Sequence, residues 1–285
     1  MGHIVNLVRW EWFKLYKRWM PWILLAILLA FTQLYLWGNF ASRSTGGGGH
    51  GFAAFTLPGS LSGTLFVAHS IGAVLIIILS ASVIGTEYGW GTLRGIMVRG
   101  TGRWQHLAGK LLLLSTVAAA ALVITVAVTS LSSLLAGALA GEAPTTWGPS
   151  PGWGDGAVTL AKAWMGLIPY VALAAIVTIL TSSSAAGIGL GLGYYFVEQI
   201  AVTILIYLFG WFETVADYLL GYNVTAWMLS SQLGDGGGIF ANDTDISSYP
   251  GELHALIVIS VYTLAMCAFA LWIFRRKDIG GVKGG

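Results

Sequence analysis

Six stretches of the chain are apolar almost without interruption, and each is long enough to cross a bilayer as a helix, which takes about 20 residues. They run from Trp22 to Phe40, Gly63 to Thr86, Leu111 to Ala140, Ala161 to Leu180, Ala185 to Trp211 and Leu253 to Phe274. The runs are continuous rather than alternating, which excludes a β-barrel. The third and fifth exceed the minimum, which predicts tilt or extension beyond the membrane. Only Thr181, Ser182, Ser183 and Ser184 separate the fourth run from the fifth, so these two should form a tight helical hairpin. The first run follows a long non-apolar lead and lacks a small-residue cleavage pattern, so it reads as a span rather than a cleaved leader.

The polar stretches carry patterns of their own. Within residues 3–19, Ile4, Val8, Trp12, Leu15 and Trp19 share one helical face, and Glu11, Lys14, Lys17 and Arg18 lie on the other, with Trp10 out of register. This predicts an amphipathic interfacial helix whose basic residues sit near anionic headgroups. It serves either as a plain anchor or as a docking surface, and Pro21 marks a turn into the first span. Segment 87–110 reads EYGWGTLRGIMVRGTGRWQHLAGK. Trp90, Leu93 and Met97 recur at i, i+3 and i+7, which predicts a short helix along the membrane. Gly100-Thr101-Gly102 breaks it, and a second helix should start at Arg103 and lead into the third span. In the outer loop 212–252, the stretch reaching from Trp211 to Gln232 is apolar and aromatic but is interrupted by Glu213, Asp217, Gly221 and Asn223. It is too polar to cross, and predicts a re-entrant or interfacial helical segment. Gly46 to Gly49 reads as a flexible outer tether. Residues 1–285 form a single transmembrane domain with no internal repeat.

Composition narrows the class. Of 285 residues, 56% are hydrophobic and only 9% are charged, against about 25% charged in an average soluble domain. That excludes a soluble fold, and disorder with it. One Cys excludes a disulfide framework or a thiolate cluster. A net charge of only +2 gives no footprint for nucleic acid. The chain therefore reads as an all-α integral membrane protein whose partner is the lipid bilayer. Twelve of the 14 Lys and Arg fall before span one (Arg9, Lys14, Lys17, Arg18), between spans two and three (Arg94, Arg99, Arg103, Lys110) or after span six (Arg275, Arg276, Lys277, Lys283). Only Arg43 and Lys162 fall on the other side. The positive-inside rule then places both termini in the cytoplasm, as six crossings require.

Few residues can carry chemistry. No P-loop is present: Gly109-Lys110 is followed by Leu111, and Trp104 stands where the first Gly would be. The five His do not cluster and no H-E-x-x-H occurs, so a metal site is not expected. Ser60-Leu61-Ser62-Gly63 approaches the nucleophile motif of rhomboid proteases, and His254 opens the last span, but Ser60 replaces the first Gly and Ser62 lies at the very entry of a span. Glu198 is the one acidic residue deep in a span. A carboxylate at mid-bilayer costs about 2.5–3.5 kcal/mol on insertion scales, so it should be protonated, paired or facing a cavity. Gln199 follows it, Tyr194 lies one turn before it, and Gln33 and His69 are candidate partners. The group is either a hydrogen-bonded helix contact or a polar point on a transport path.

Glu87, Gly91-Thr92-Leu93-Arg94, Arg103 and Gly109-Lys110, standing between spans two and three, resemble the permeases of ABC-2-type ABC exporters, closest to the antibiotic-resistance and ion-export branch. The resemblance covers essentially the whole chain: an amphipathic lead, six spans and a partly re-entrant last outer loop. It implies a permease subunit of the bacterial cytoplasmic membrane that is not itself an enzyme and binds no cofactor. ATP-Mg would be held by a separate ABC ATPase subunit, present in two copies, alongside a second permease copy, identical or paralogous. The 87–110 loop would then hold a cytoplasmic coupling helix seated in the ATPase, through Glu87, Gly91, Thr92 and Arg94, with Arg103 and Lys110 fixing its return into span three. The lead helix would brace the ATPase from the side. Spans one and five would line the permease interface, exposing Glu198, Gln33 or the Tyr194-Tyr195 pair to a conduit. The alternative is a motor-free, six-span proton-coupled carrier using Glu198.

Overall fold

The computed structural model describes residues 2–42, 55–89, 102–141, 152–231 and 249–277. Its elements are α1 (Gly2–Tyr16), α2 (Trp19–Ser42), α3 (Gly59–Gly89), α4 (Arg103–Ala140), α5 (Trp153–Thr181), α6 (Ser184–Leu208), α7 (Phe212–Ala216), α8 (Leu220–Leu229) and α9 (Glu252–Arg276). The protein is all-helical over these residues, and α2, α3, α4, α5, α6 and α9 are the six helices long and apolar enough to span a membrane.

Most of the helices extend past their apolar runs, although α6 stops at Leu208, three residues before its run ends. α4 begins at Arg103, eight residues before the apolar run, so the return half of segment 87–110 is the first two turns of a helix of 38 residues. At 1.5 Å per residue that helix is about 57 Å long, well beyond a hydrocarbon core of about 30 Å. α1 differs from its expected pattern. It stops at Tyr16, and Trp19, expected on its apolar face, instead opens α2 and is strongly exposed. Among residues 9–16 of α1, Glu11 and Leu15, one turn apart, are the buried ones. Pro21 falls in the first turn of α2, where a missing N–H leaves no hydrogen bond unmade.

α3 and α5 form the centre of the bundle. α3 packs on α2, α4, α5 and α6, and α5 on α3, α4, α6, α8 and α9. Helices in lipid gain little from apolar burial against one another, so close approach through small residues holds them together. Gly85 of α3 is one such point: a Cβ there would lie 2.6 Å from Ser184 Cα and 2.7 Å from Ser184 N at the start of α6. The α5–α6 hairpin is as tight as expected. Ser182 takes a left-handed conformation (φ 54°), and the Ser183 hydroxyl accepts the Ala186 N–H at 3.3 Å.

One end of the bundle gathers both ends of the described chain. The Lys277 ammonium, just past α9, donates to the Leu180 carbonyl at 3.0 Å, to the Ser182 hydroxyl at 2.6 Å and to the Ile179 carbonyl, closing the C-terminus of α5. It also lies 5.4 Å from the ring centre of Tyr88. Arg18 donates to the Thr86 hydroxyl at 3.4 Å. The α1–α2 turn, the end of α3, the start of α4 and the end of α9 therefore share one basic end. The opposite end holds the turn from α6 into α7 and α8.

Gly85→Val should lower the melting temperature in detergent, because overpacking a fitted contact costs about 1–3 kcal/mol. Gly89→Ala, with nothing within 4 Å of the added carbon, should leave it near that of the wild type. Thermal unfolding of the two purified variants checks this.

Candidate functional site

At the basic end, three helices meet through buried charge. Lys110, on the second turn of α4, is 2% exposed. Its ammonium lies 2.8 Å from Glu87 Oε1 at the end of α3 and 3.6 Å from Glu11 Oε2 on α1. It also donates to the Val83 carbonyl at 3.3 Å. His106, one turn before Lys110, donates from Nε2 to Glu87 Oε2 at 2.9 Å. Lys14 donates to Glu11 Oε1 at 2.6 Å from the solvent side. A cation taken out of water needs such partners, since an unpaired buried charge costs several kcal/mol. The network ties together α1 and both feet of segment 90–101.

Glu87 and Lys110, both expected from the sequence, are therefore in contact with each other. Arg103 opens α4. Gly91, Thr92 and Arg94 lie outside the described residues, as do Trp90, Leu93 and Met97. Glu11 and His106 were missed as members of the cluster. A signal for Glu11 existed: it is the only acidic residue before Glu87.

The second cluster surrounds Glu198 on α6. It lies fourteen residues from the start of α6, about 21 Å along the axis, on the side of α7 and α8. Its Oε1 accepts the Gly221 N–H at 2.6 Å, and the Tyr194 hydroxyl is its other hydrogen-bond partner. Gly221 is the second residue of α8, whose N-cap Leu219 offers no side-chain cap. Helix N-termini leave N–H groups unpaired and favour negative charge. Glu198 thus caps α8 from a neighbouring helix. The fit at Gly221 is tight: a Cβ there would lie 3.0 Å from the Glu198 carboxyl and 3.2 Å from Gln199 Nε2.

The expected partners of Glu198 are engaged elsewhere. His69 donates from Nδ1 to the Ala163 carbonyl at 3.1 Å, since a carbonyl can only accept. Gln33 Oε1 accepts from the Ser132 hydroxyl at 2.6 Å. Glu198 was bound by a backbone N–H of the outer segment, which residue types alone do not reveal.

The corner between α7 and α8 has its carbonyls satisfied by side chains. Asn223 donates to Asp217 O at 2.7 Å and to Leu219 O at 2.8 Å. His254 Nε2 donates to Asp217 O at 2.8 Å, and the Tyr262 hydroxyl to Tyr218 O at 3.1 Å. The Ser62 hydroxyl donates to the Gly59 carbonyl at 2.9 Å in its own helix. Ser62 and His254 thus have separate partners, and no nucleophile–base pair forms between them. Lys162 of α5, 5% exposed, donates to Ser230 Oγ at 2.8 Å, lies 2.7 Å from Glu252 Oε1 and sits 4.9 Å from the Trp227 ring centre. It pins the end of α8 to the start of α9. Among the described residues no group of three or more His, Cys, Asp or Glu could hold a metal ion.

Six apolar helices, held at both ends by buried polar clusters, define a multi-pass helical membrane protein. The chain belongs to the family described as a protein of unknown function, DUF2705, which matches residues 23–280. No curated protein matches it.

Lys110→Ala should destabilise the protein by about 1–3 kcal/mol, by removing the ammonium that bridges Glu11 and Glu87 and leaving them only Lys14 and His106. Adding Glu11→Gln and Glu87→Gln should recover part of that loss. Unfolding in detergent across the mutant cycle measures it. Glu198→Gln keeps an acceptor for Gly221 and should stay within about 1 kcal/mol of wild type, whereas Glu198→Ala should lose about 1–3 kcal/mol. The same melting assay separates the two.

Proposed function

We propose that the chain is the membrane-spanning permease subunit of an ABC-2-type ATP-driven exporter. A pair of permeases moves substrate across the bacterial cytoplasmic membrane, and a separate ATPase subunit docks on segment 87–110. The observation that carries this reading is the Glu11–Lys110–Glu87–His106 cluster. It locks the two helices from which segment 90–101 springs, and braces α1 against them. A force applied to a segment with locked feet is passed to α3 and α4 together. α3 in turn touches α2, α5 and α6, so a push on that segment reaches most of the bundle. Both ends of the described chain lie at this end, with the basic residues of α1 and α9. By the positive-inside rule that end faces the cytoplasm, where an ATPase would be.

A second reading, a motor-free proton-coupled carrier, is favoured by one observation. Glu198 is 9% exposed and stands among Tyr170, Tyr194, Tyr195 and Tyr262, and the buried Tyr170 hydroxyl has no hydrogen-bond partner. Against it, the carboxylate already holds the Gly221 N–H, which gives it a structural task.

Gentle solubilisation from the native host followed by mass spectrometry should recover a stoichiometric partner carrying Walker motifs. Arg94→Glu should abolish the ATPase stimulation that the permease gives this partner, while membrane insertion stays normal. Wild-type coupling in that variant, or reproducible absence of an ATPase from the folded protein, would overturn the reading.

A further inference from the structure

An apolar cleft of about 160 Å³ opens between α1, α2, α3 and α4, on the basic half of the bundle. Its lining is almost wholly hydrocarbon. On α3 the lining runs from Ala68 to Leu79. Those eleven steps of 1.5 Å make about 16 Å, close to half of the roughly 30 Å hydrocarbon thickness. The cleft is therefore about half the hydrocarbon thickness long, reaching from the α1 end into the middle of α3. At its mouth stand Trp12, Tyr16 and Trp22. Tyr16 and Trp22 meet edge to face at 5.3 Å, and the Trp22 N–H donates to the Tyr16 carbonyl at 2.9 Å. Amphipathic rings of this kind mark the level of the lipid headgroups. Around the mouth, α1 and the turn after it carry Arg9, Lys14, Lys17 and Arg18 against the single acidic Glu11.

We propose that this cleft binds one acyl chain of an anionic phospholipid from the leaflet that bears α1, with the headgroup held by the basic residues of α1. An apolar cavity does not hold water, and the medium facing this one is the bilayer itself. Depth matches one chain, and charge selects the headgroup. The site is independent of any ATPase. A lipid seated there lies against Trp12, Leu15 and Tyr16, on the helix that presents Glu11 to Lys110, so occupancy bears directly on how α1 is held.

The test uses the full chain in nanodiscs holding one copy each. The discs contain trace phosphatidylglycerol bearing a diazirine in mid-chain, or phosphatidylcholine with the same label. After irradiation, peptide mass spectrometry should find the label concentrated on the cleft residues of α2, α3 and α4 over the exposed face of α9. Phosphatidylglycerol should exceed phosphatidylcholine. Ala121→Trp, which fills the cleft from its α4 wall, should reduce cleft labelling to the level of α9, and Ala118→Phe should do the same. Should both fail to fold, Lys14→Gln on α1 and Lys17→Gln in the turn after it should each weaken the phosphatidylglycerol preference about fivefold. Even labelling of all lipid-facing helices would overturn the proposal. So would equal labelling by the two lipids, or undiminished labelling in a folded, cleft-filled variant. Labelling present with one copy per disc but lost with two would assign the cleft to a second copy, and would overturn it as well.

Discussion

The Lys110 ammonium is the constraint on which the basic end of the molecule depends. It sits at 2% exposure between two carboxylates that come from different helices. Neither carboxylate is near it in sequence: Glu11 lies on the first helix and Glu87 at the end of the third. A charge this buried has no stable alternative partner, so α1, α3 and α4 can exchange places only by exposing it. Lys14 meets Glu11 from its outer side, and His106, itself buried, donates to Glu87.

The opposite end solves a different problem by similar means. Past α6 the chain turns twice, through α7 and α8, and each turn leaves backbone groups without helical partners. Side chains meet several of those groups. Glu198 takes the N–H at the start of α8, and Asn223, His254 and Tyr262 take the carbonyls of the corner. Lys162 then ties the end of α8 to α9. Several polar residues of this region therefore have a structural task in holding the turn.

This explains what could be read in advance. The six spans were legible because the bilayer demands long apolar runs and nothing else in the chain supplies them. The α5–α6 hairpin was legible for the same reason, since four small polar residues leave room for nothing longer. Helix ends were less so: the start at Arg103 follows from the Gly100-Thr101-Gly102 break, as expected, but the first helix stops at Tyr16 and the second opens at Trp19, short of the amphipathic pattern read over 3–19. Pairings were least legible. Glu87 stands out in the sequence for a role toward a partner and Lys110 for fixing the return into span three, but linear spacing does not say that the two side chains meet each other. Glu198 was recognised as costly, and residue type then suggested side chains such as His69 or Gln33. The group that answers it is a backbone N–H, and every residue but proline has one.

The placement of charge also bears on what the middle of the bundle can do. Between the two clusters, α3 and α5 pack through small and aliphatic residues such as Gly72 and Leu167, where a Cβ on the glycine would stand 3.6 Å from leucine methyls. The hydroxyls along the way mostly bond their own helix, as Thr32, Thr125 and Thr178 do. A single copy therefore offers a fitted core with polar anchors at both ends. The large exposed side chains of α2 and α6, among them Phe31, Leu34, Phe196, Val197 and Ile200, face outward. A route for a polar substrate would have to form where outward faces meet, between copies, with Glu198 reached from the α6 side. The proposed permease pair would fit that division of labour, with the fitted core of each copy moved as a body through the feet of segment 90–101.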